Sequence, residues 1–157
     1  MYDLARRRPL PGWLASAGRL TFLLLLVTVG RPITPPNNII RLHDEAAAVK
    51  AIQRIQTMQV EYNAEYGGFA TSLTELGPSA SGTANASSAD LIDSALAAGE
   101  ESGYKFTLTG NRTGYAISAV PVAYSNTGSR TFYSDQTRVI RENDGPEPAT
   151  PISKEMQ

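Results

Sequence analysis

The chain has 157 residues, no cysteine, a single histidine and 14 basic against 15 acidic side chains, for a formal net charge of −1. That length holds one modest domain, and the lack of cysteine excludes disulfides, thiol nucleophiles, Cys-ligated zinc and a lipoprotein anchor. The lone His43 excludes multi-histidine metal sites and leaves little from which to build a Ser-His-Asp triad.

The charge is segregated. Arg6, Arg7, Arg8, Arg19 and Arg31 against Asp3 give residues 1–36 a net +4, while residues 37–142 carry −3 and residues 143–157 carry −2. A basic head before an acidic body points to targeting, and the scattered, outnumbered basic residues of the body argue against nucleic acid. After Arg19 comes an apolar run, residues 20–29, with Leu20, Phe22, Leu23, Leu24, Leu25, Leu26 and Val27 as its apolar body. As a helix it covers about 15 Å, half of a ~30 Å hydrocarbon core, so a span must begin near Trp13 and accommodate Arg19. The run is read either as an export signal or as a retained membrane anchor, with the arginines cytoplasmic and the rest extracytoplasmic. Thr28 and Gly30 supply small residues for a signal-peptidase cut after Gly30, and Gly18 is a second candidate processing point. Pro32, Pro35 and Pro36 form a junction that a regular helix cannot cross.

Residues 39–66 contain neither Pro nor Gly and predict one long helix of about 42 Å. Leu42, Val49, Ile52, Ile55, Met58 or Gln59, Tyr62 and Tyr66 recur at steps of three or four, with Val49, Ile52, Ile55, Tyr62 and Tyr66 as its packing face. Gly67-Gly68 is its stop. A turn and short helix follow over 69–78, capped by Thr71 or Ser72, with Leu73 and Leu76 folding back on the long helix. Residues 79–88 read as a flexible loop, and 90–99 as another short amphipathic helix. From Gly103 the period changes to two: Tyr104, Phe106 and Leu108 alternate with polar residues, a loop spans 110–114, and Tyr115 and Ile117 lie on the return strand. Strands around Phe132 and over 138–141 complete a meander whose core is Tyr104, Phe106, Leu108, Tyr115, Ile117 and Phe132, and the Pro-containing tail 143–157 is expected to be disordered. The fold expected is α+β, a long amino-terminal helix packed on a small antiparallel meander.

In order and spacing, Pro36-Asn37-Asn38-Ile39-Ile40-Arg41, Asp44-Glu45-Ala46-Ala47-Ala48-Val49, Tyr66-Gly67-Gly68-Phe69-Ala70, Ser102-Gly103-Tyr104-Lys105-Phe106, Ala119-Val120-Pro121-Val122 and Gly128-Ser129-Arg130-Thr131-Phe132-Tyr133 carry a resemblance. Residues 36–142 resemble type IV pilin-like proteins and type II secretion pseudopilins of the acidobacterial pilin-like type. The resemblance implies a non-enzymatic structural subunit of a pilus or pseudopilus, with the inner membrane and a pilin or pseudopilin homo- or hetero-oligomer as partners. The amino end departs from the family: Leu23 stands where its glutamate would fall after Gly18, and three prolines crowd the junction. The alternative is a solitary secreted or periplasmic pilin-like domain, released by signal peptidase, that binds a partner without polymerising.

Other motifs have plainer uses. His43-Asp44-Glu45 point in different directions on a helix and read as surface or capping residues. Asn126, Ser134 and Asp135 suggest a turn before a calcium site. The aromatic residues could form a binding surface, but their spacing favours the core. No cofactor, metal or small-molecule substrate is expected, and no base, nucleophile and oxyanion arrangement can be assembled.

Overall fold

The computed structural model describes residues 37–157. Its first element, α1 (Asn37–Tyr66), is one helix of 30 residues, about 45 Å long at 1.5 Å per residue. Neither Gly nor Pro interrupts it, and Ala46, Ala47 and Ala48 favour it. Gly67 ends it at φ +70°, donating its N–H to Asn63 O in a left-handed stop that a side chain would strain. The buried stripe runs through Glu45, Ala48, Ile52, Ile55, Gln59 and Tyr62, steps of three and four that keep one face on the sheet.

The stripe is more polar than its periodicity suggests. Gln59, fully buried, donates to Ala70 O and accepts from Ala70 N–H, both at 2.9 Å, as a neighbouring strand would. Gln56 donates to Ser134 Oγ at 2.6 Å. Leu42, expected on the packing face, is instead 61% exposed because the first turns of α1 lie beyond the covered part of the helix.

Two short helices cap this layer. In α2 (Leu73–Leu76), Ser72 Oγ accepts the Glu75 N–H while the Glu75 carboxylate accepts Thr71 N–H, a reciprocal cap. The helix expected over 90–99 shrinks to α3 (Ser94–Ala97). Asp90 is left-handed at φ +56°, Leu91 and Ile92 donate their N–H groups to Leu76 O, and the Asp93 carboxylate caps the helix from Ala95 and Leu96. Arg54 of α1 pairs with both Asp93 and Glu101 and ties α3 to the long helix.

The rest is a six-stranded antiparallel meander in sequence order: β1 (Glu100–Glu101), β2 (Tyr104–Asn111), β3 (Gly114–Pro121), β4 (Arg130–Asp135), β5 (Arg141–Asp144) and β6 (Lys154–Glu155). Pairing of β2 with β3 continues to Asn111↔Gly114, so the turn is tighter than expected, its N–H groups held by Asn111 Oδ1. Registers Phe106↔Ala119, Leu108↔Ile117 and Ala119↔Phe132 bring the apolar alternate residues to the face against α1. Tyr104, Phe106, Leu108, Tyr115, Ile117 and Phe132 are all buried there, each large side chain contributing about 2 kcal/mol.

Two expectations at the carboxyl end need correction. The last core strand starts at Arg141, not 138, because Asp135 Oδ1 takes Thr137 N–H into a turn and Arg138 is left-handed at φ +64°. The tail 143–157 is not disordered: it folds back as a strap. Thr131 Oγ1 and Asn143 Nδ2 donate to Glu147 O, Ala149 is buried, and β6 pairs with β5 before Met156 N–H reaches Ile140 O. Its proline and charge content masked this, since the side chains that hold it belong to other strands.

Candidate functional site

Glu45, in the third turn of α1, is the residue on which the helix is fastened to the sheet. Its Oε1 accepts Ser129 N–H at 2.8 Å and Ser129 Oγ at 3.0 Å, and its Oε2 accepts Arg130 Nε at 2.9 Å and Arg130 Nη2 at 2.8 Å. Arg130 also donates through Nη1 to Glu142 Oε2 at 2.7 Å, and Lys154 Nζ lies 3.4 Å from Glu142 Oε1. Charges of alternating sign therefore run from α1 through β4 and β5 to β6. Burial opposes the ionised form of Glu45, but the hydrogen bonds from Ser129 and Arg130 outweigh it and hold its pKa below the ordinary value. For Arg130, burial is outweighed in turn by Glu45 and Glu142, which push its pKa up.

Immediately before this anchor α1 changes character. Ile39 is 54% exposed and Leu42 61%, with Ile40 also exposed. Exposed apolar residues grouped on one helix end mark a contact surface more often than scattered ones do. The helix is fastened from its third turn onward, and the turns before that anchor carry their apolar side chains on exposed surface.

Of the helix-face residues singled out from the sequence, Ile52, Ile55 and Tyr62 are buried, and Val49 and Tyr66 are half-buried at the edge of the core. The apolar run Leu20, Phe22, Leu23, Leu24, Leu25, Leu26 and Val27 and the processing points Gly18 and Gly30 lie outside the described residues. Among the described residues no helix is long and apolar enough to cross a membrane, and no cluster of three or more His, Asp or Glu could hold a metal ion. His43 is exposed and faces only Asp44, at 3.2 Å. Asp135 Oδ1 accepts Thr137 N–H and Oγ1–H, and Ser134 Oγ donates to Val139 O, so both serve the turn.

Glu45, read from the sequence as a surface or capping residue, is instead buried, and its cluster with Arg130 and Glu142 was not foreseen. Its signal was present: counting back from Ile55 and Ile52 in steps of four and three reaches Ala48 and then Glu45 on the same covered stripe. A carboxylate there requires a partner to offset its burial.

No family model, curated protein or solved structure matches the chain.

Proposed function

We propose that the chain is a non-enzymatic structural subunit of a type IV pilus or type II secretion pseudopilus, delivered through the membrane. The observation that carries this reading is the form of α1: it is clamped to the sheet through Glu45 in its third turn, while the turns before that bear Ile39, Ile40 and Leu42 on exposed surface. In sequence that end follows a basic head and an apolar run, the order in which a membrane-delivered helix would precede an exported domain. The α+β arrangement, helix first and meander after, is in keeping with the resemblance. The second reading, a solitary secreted pilin-like domain, is favoured by Thr28 and Gly30 at signal-peptidase spacing and by Leu23 in place of the family's glutamate.

The test is to express the full chain in a bacterial host, fractionate it, and determine the amino terminus and mass of the mature species. A membrane-bound species that is intact, or that begins just after Gly18, keeps the apolar run and supports the subunit. A soluble periplasmic species beginning near Arg31 lacks the segment a filament core needs and rejects it in favour of the secreted domain.

A further inference from the structure

At the carboxyl end of α1, about 40 Å along the helix from Ile39, lies a cavity of roughly 240 Å³. Tyr62 and Tyr66 line it from the helix with ring centroids 4.7 Å apart, and Phe69 lines it from the chain beyond, braced edge-on by Tyr115 at 5.0 Å. The α2 cap contributes Glu75 and Thr71, and the β2–β3 turn contributes Arg112. These groups are held before any ligand arrives. Glu75 is fixed by Thr71 N–H and Oγ1–H at 2.8 and 2.7 Å. Tyr62 Oη donates to Ala86 O at 2.6 Å. Gly68 lets Arg112 lie close, since a Cβ there would stand 3.1 Å from Arg112 Cβ.

One group is left with capacity. Arg112 makes no ion pair among the described residues. Tyr66 Oη is buried, and burial and then the nearby Glu65 carboxylate, by its charge and by hydrogen bonding, push its pKa up.

The charges select the ligand. A cation is attracted by Glu75 and the rings but opposed by Arg112, and an anion meets the converse conflict. A purely apolar guest strips water from the Glu75 carboxylate and the Arg112 guanidinium without replacing its hydrogen bonds. A neutral ring with apolar faces and an equator of hydroxyls, each able to donate and accept, satisfies rings, carboxylate and guanidinium together. The volume suits one six-membered ring and lies below the range for drug-sized ligands. We infer that this cavity is a carbohydrate-binding site for a single neutral pyranose unit, stacked on the tyrosines and hydrogen-bonded by Glu75 and Arg112. The site is independent of the filament reading, because all of its groups lie in the domain that both readings share.

The test is saturation-transfer NMR on the full chain with methyl pyranosides of glucose, galactose, mannose and N-acetylglucosamine, beside choline, acetate and glycine as cationic, anionic and zwitterionic probes. At least one pyranoside should bind more tightly than all three charged probes. Arg112→Ala and Glu75→Gln should each weaken it about tenfold or more, as expected for losing a charge-assisted hydrogen bond. Arg112 is exposed, so its replacement leaves the fold intact, to be verified by circular dichroism. Binding of no pyranoside overturns the inference. So does choline, acetate or glycine binding as tightly as the best sugar, or sugar affinity unchanged by Arg112→Ala.

Discussion

Glu45 and Arg130 stand 85 residues apart in sequence, and the guanidinium meets the carboxylate through Nε at 2.9 Å and Nη2 at 2.8 Å. One residue lies on the helix and the other on β4, so the contact joins the two layers of the domain. Glu45 retains only 3% of its surface; without its partner it would be a buried, uncompensated charge. Replacing Glu45 with Ala leaves Arg130 Nε and Nη2 and the Ser129 N–H without their acceptor, although Arg130 Nη1 keeps Glu142. Loss of about 3 kcal/mol of unfolding free energy is expected, the lower end for a broken buried pair because Arg130 keeps 28% exposure. Urea denaturation of the two proteins measures it, and a loss below 1 kcal/mol would mean the pair is dispensable.

The same pair sets the acid limb of stability. Burial alone would raise the Glu45 pKa, but the Ser129 and Arg130 hydrogen bonds bring it below its ordinary 4.5. Asp93 is lowered from 3.8, first by the Leu96 N–H it caps. A carboxylate with a depressed folded pKa binds fewer protons folded than unfolded. Its stabilisation is therefore complete above about pH 4.5 and is lost as pH falls through the folded value. Glu45→Gln should flatten the decline below pH 4.5 while lowering stability at neutral pH. Denaturant midpoints at pH 7, 4.5 and 3 test this, and parallel declines in the two proteins would assign the acid sensitivity elsewhere.

Gly128 is packed against the ring of Tyr104. A Cβ at 128 would fall 2.6 Å from Tyr104 Cζ, and Tyr104, fully buried with its hydroxyl donating to Arg130 O at 2.8 Å, cannot turn away. Gly128→Ala should cost about 3 kcal/mol through overpacking. By contrast, Gly82→Ala puts its Cβ in open space and meets only the strain of φ +70°, expected to cost about 1 kcal/mol. Thermal melts of both variants would rank them, and the reverse order would contradict the packing described.

Much of this architecture was legible in the sequence, for identifiable reasons. The long helix is announced by the absence of Gly and Pro up to Gly67, and the alternation around Tyr104, Phe106, Leu108 and Ile117 marks β2 and β3. What was missed depends on single backbone conformations or on distant partners. Asp90 and Arg138 are left-handed without being glycine, and each moves the start of the element after it. The strap was hidden because Thr131 and Asn143, which hold Glu147 O, carry no mark of that task in their own neighbourhoods. The cavity at Tyr62 and Tyr66 was read as core because periodicity identifies the covered side of a helix but not where its cover ends.

The strap also offers a measurable contribution. Deleting residues 145–157 uncovers Thr131, removes Lys154 from Glu142 and opens the outer edge of β5. The chain should still fold, since the helix and β1–β4 keep their core, but with a loss of about 2–4 kcal/mol from a lost apolar contact and several hydrogen bonds. A truncated chain with unchanged stability would show the strap to be energetically idle.

The amino end of α1 separates a role in assembly from a role in folding. Ile39, Ile40 and Leu42 are exposed and belong to no core cluster, so replacing all three with Ser should change unfolding free energy by no more than about 0.5 kcal/mol per site. If that end is the surface through which a membrane-delivered subunit meets its neighbours, the same variant should lose co-sedimentation with other copies in detergent while the domain melts almost as before. Val60, exposed and apolar but about 27 Å further along the helix from Leu42, is the control: Val60→Ser should leave sedimentation unchanged. Loss of stability in the triple variant would mean that these residues serve the fold, and undiminished sedimentation would remove the amino end of α1 from the interface.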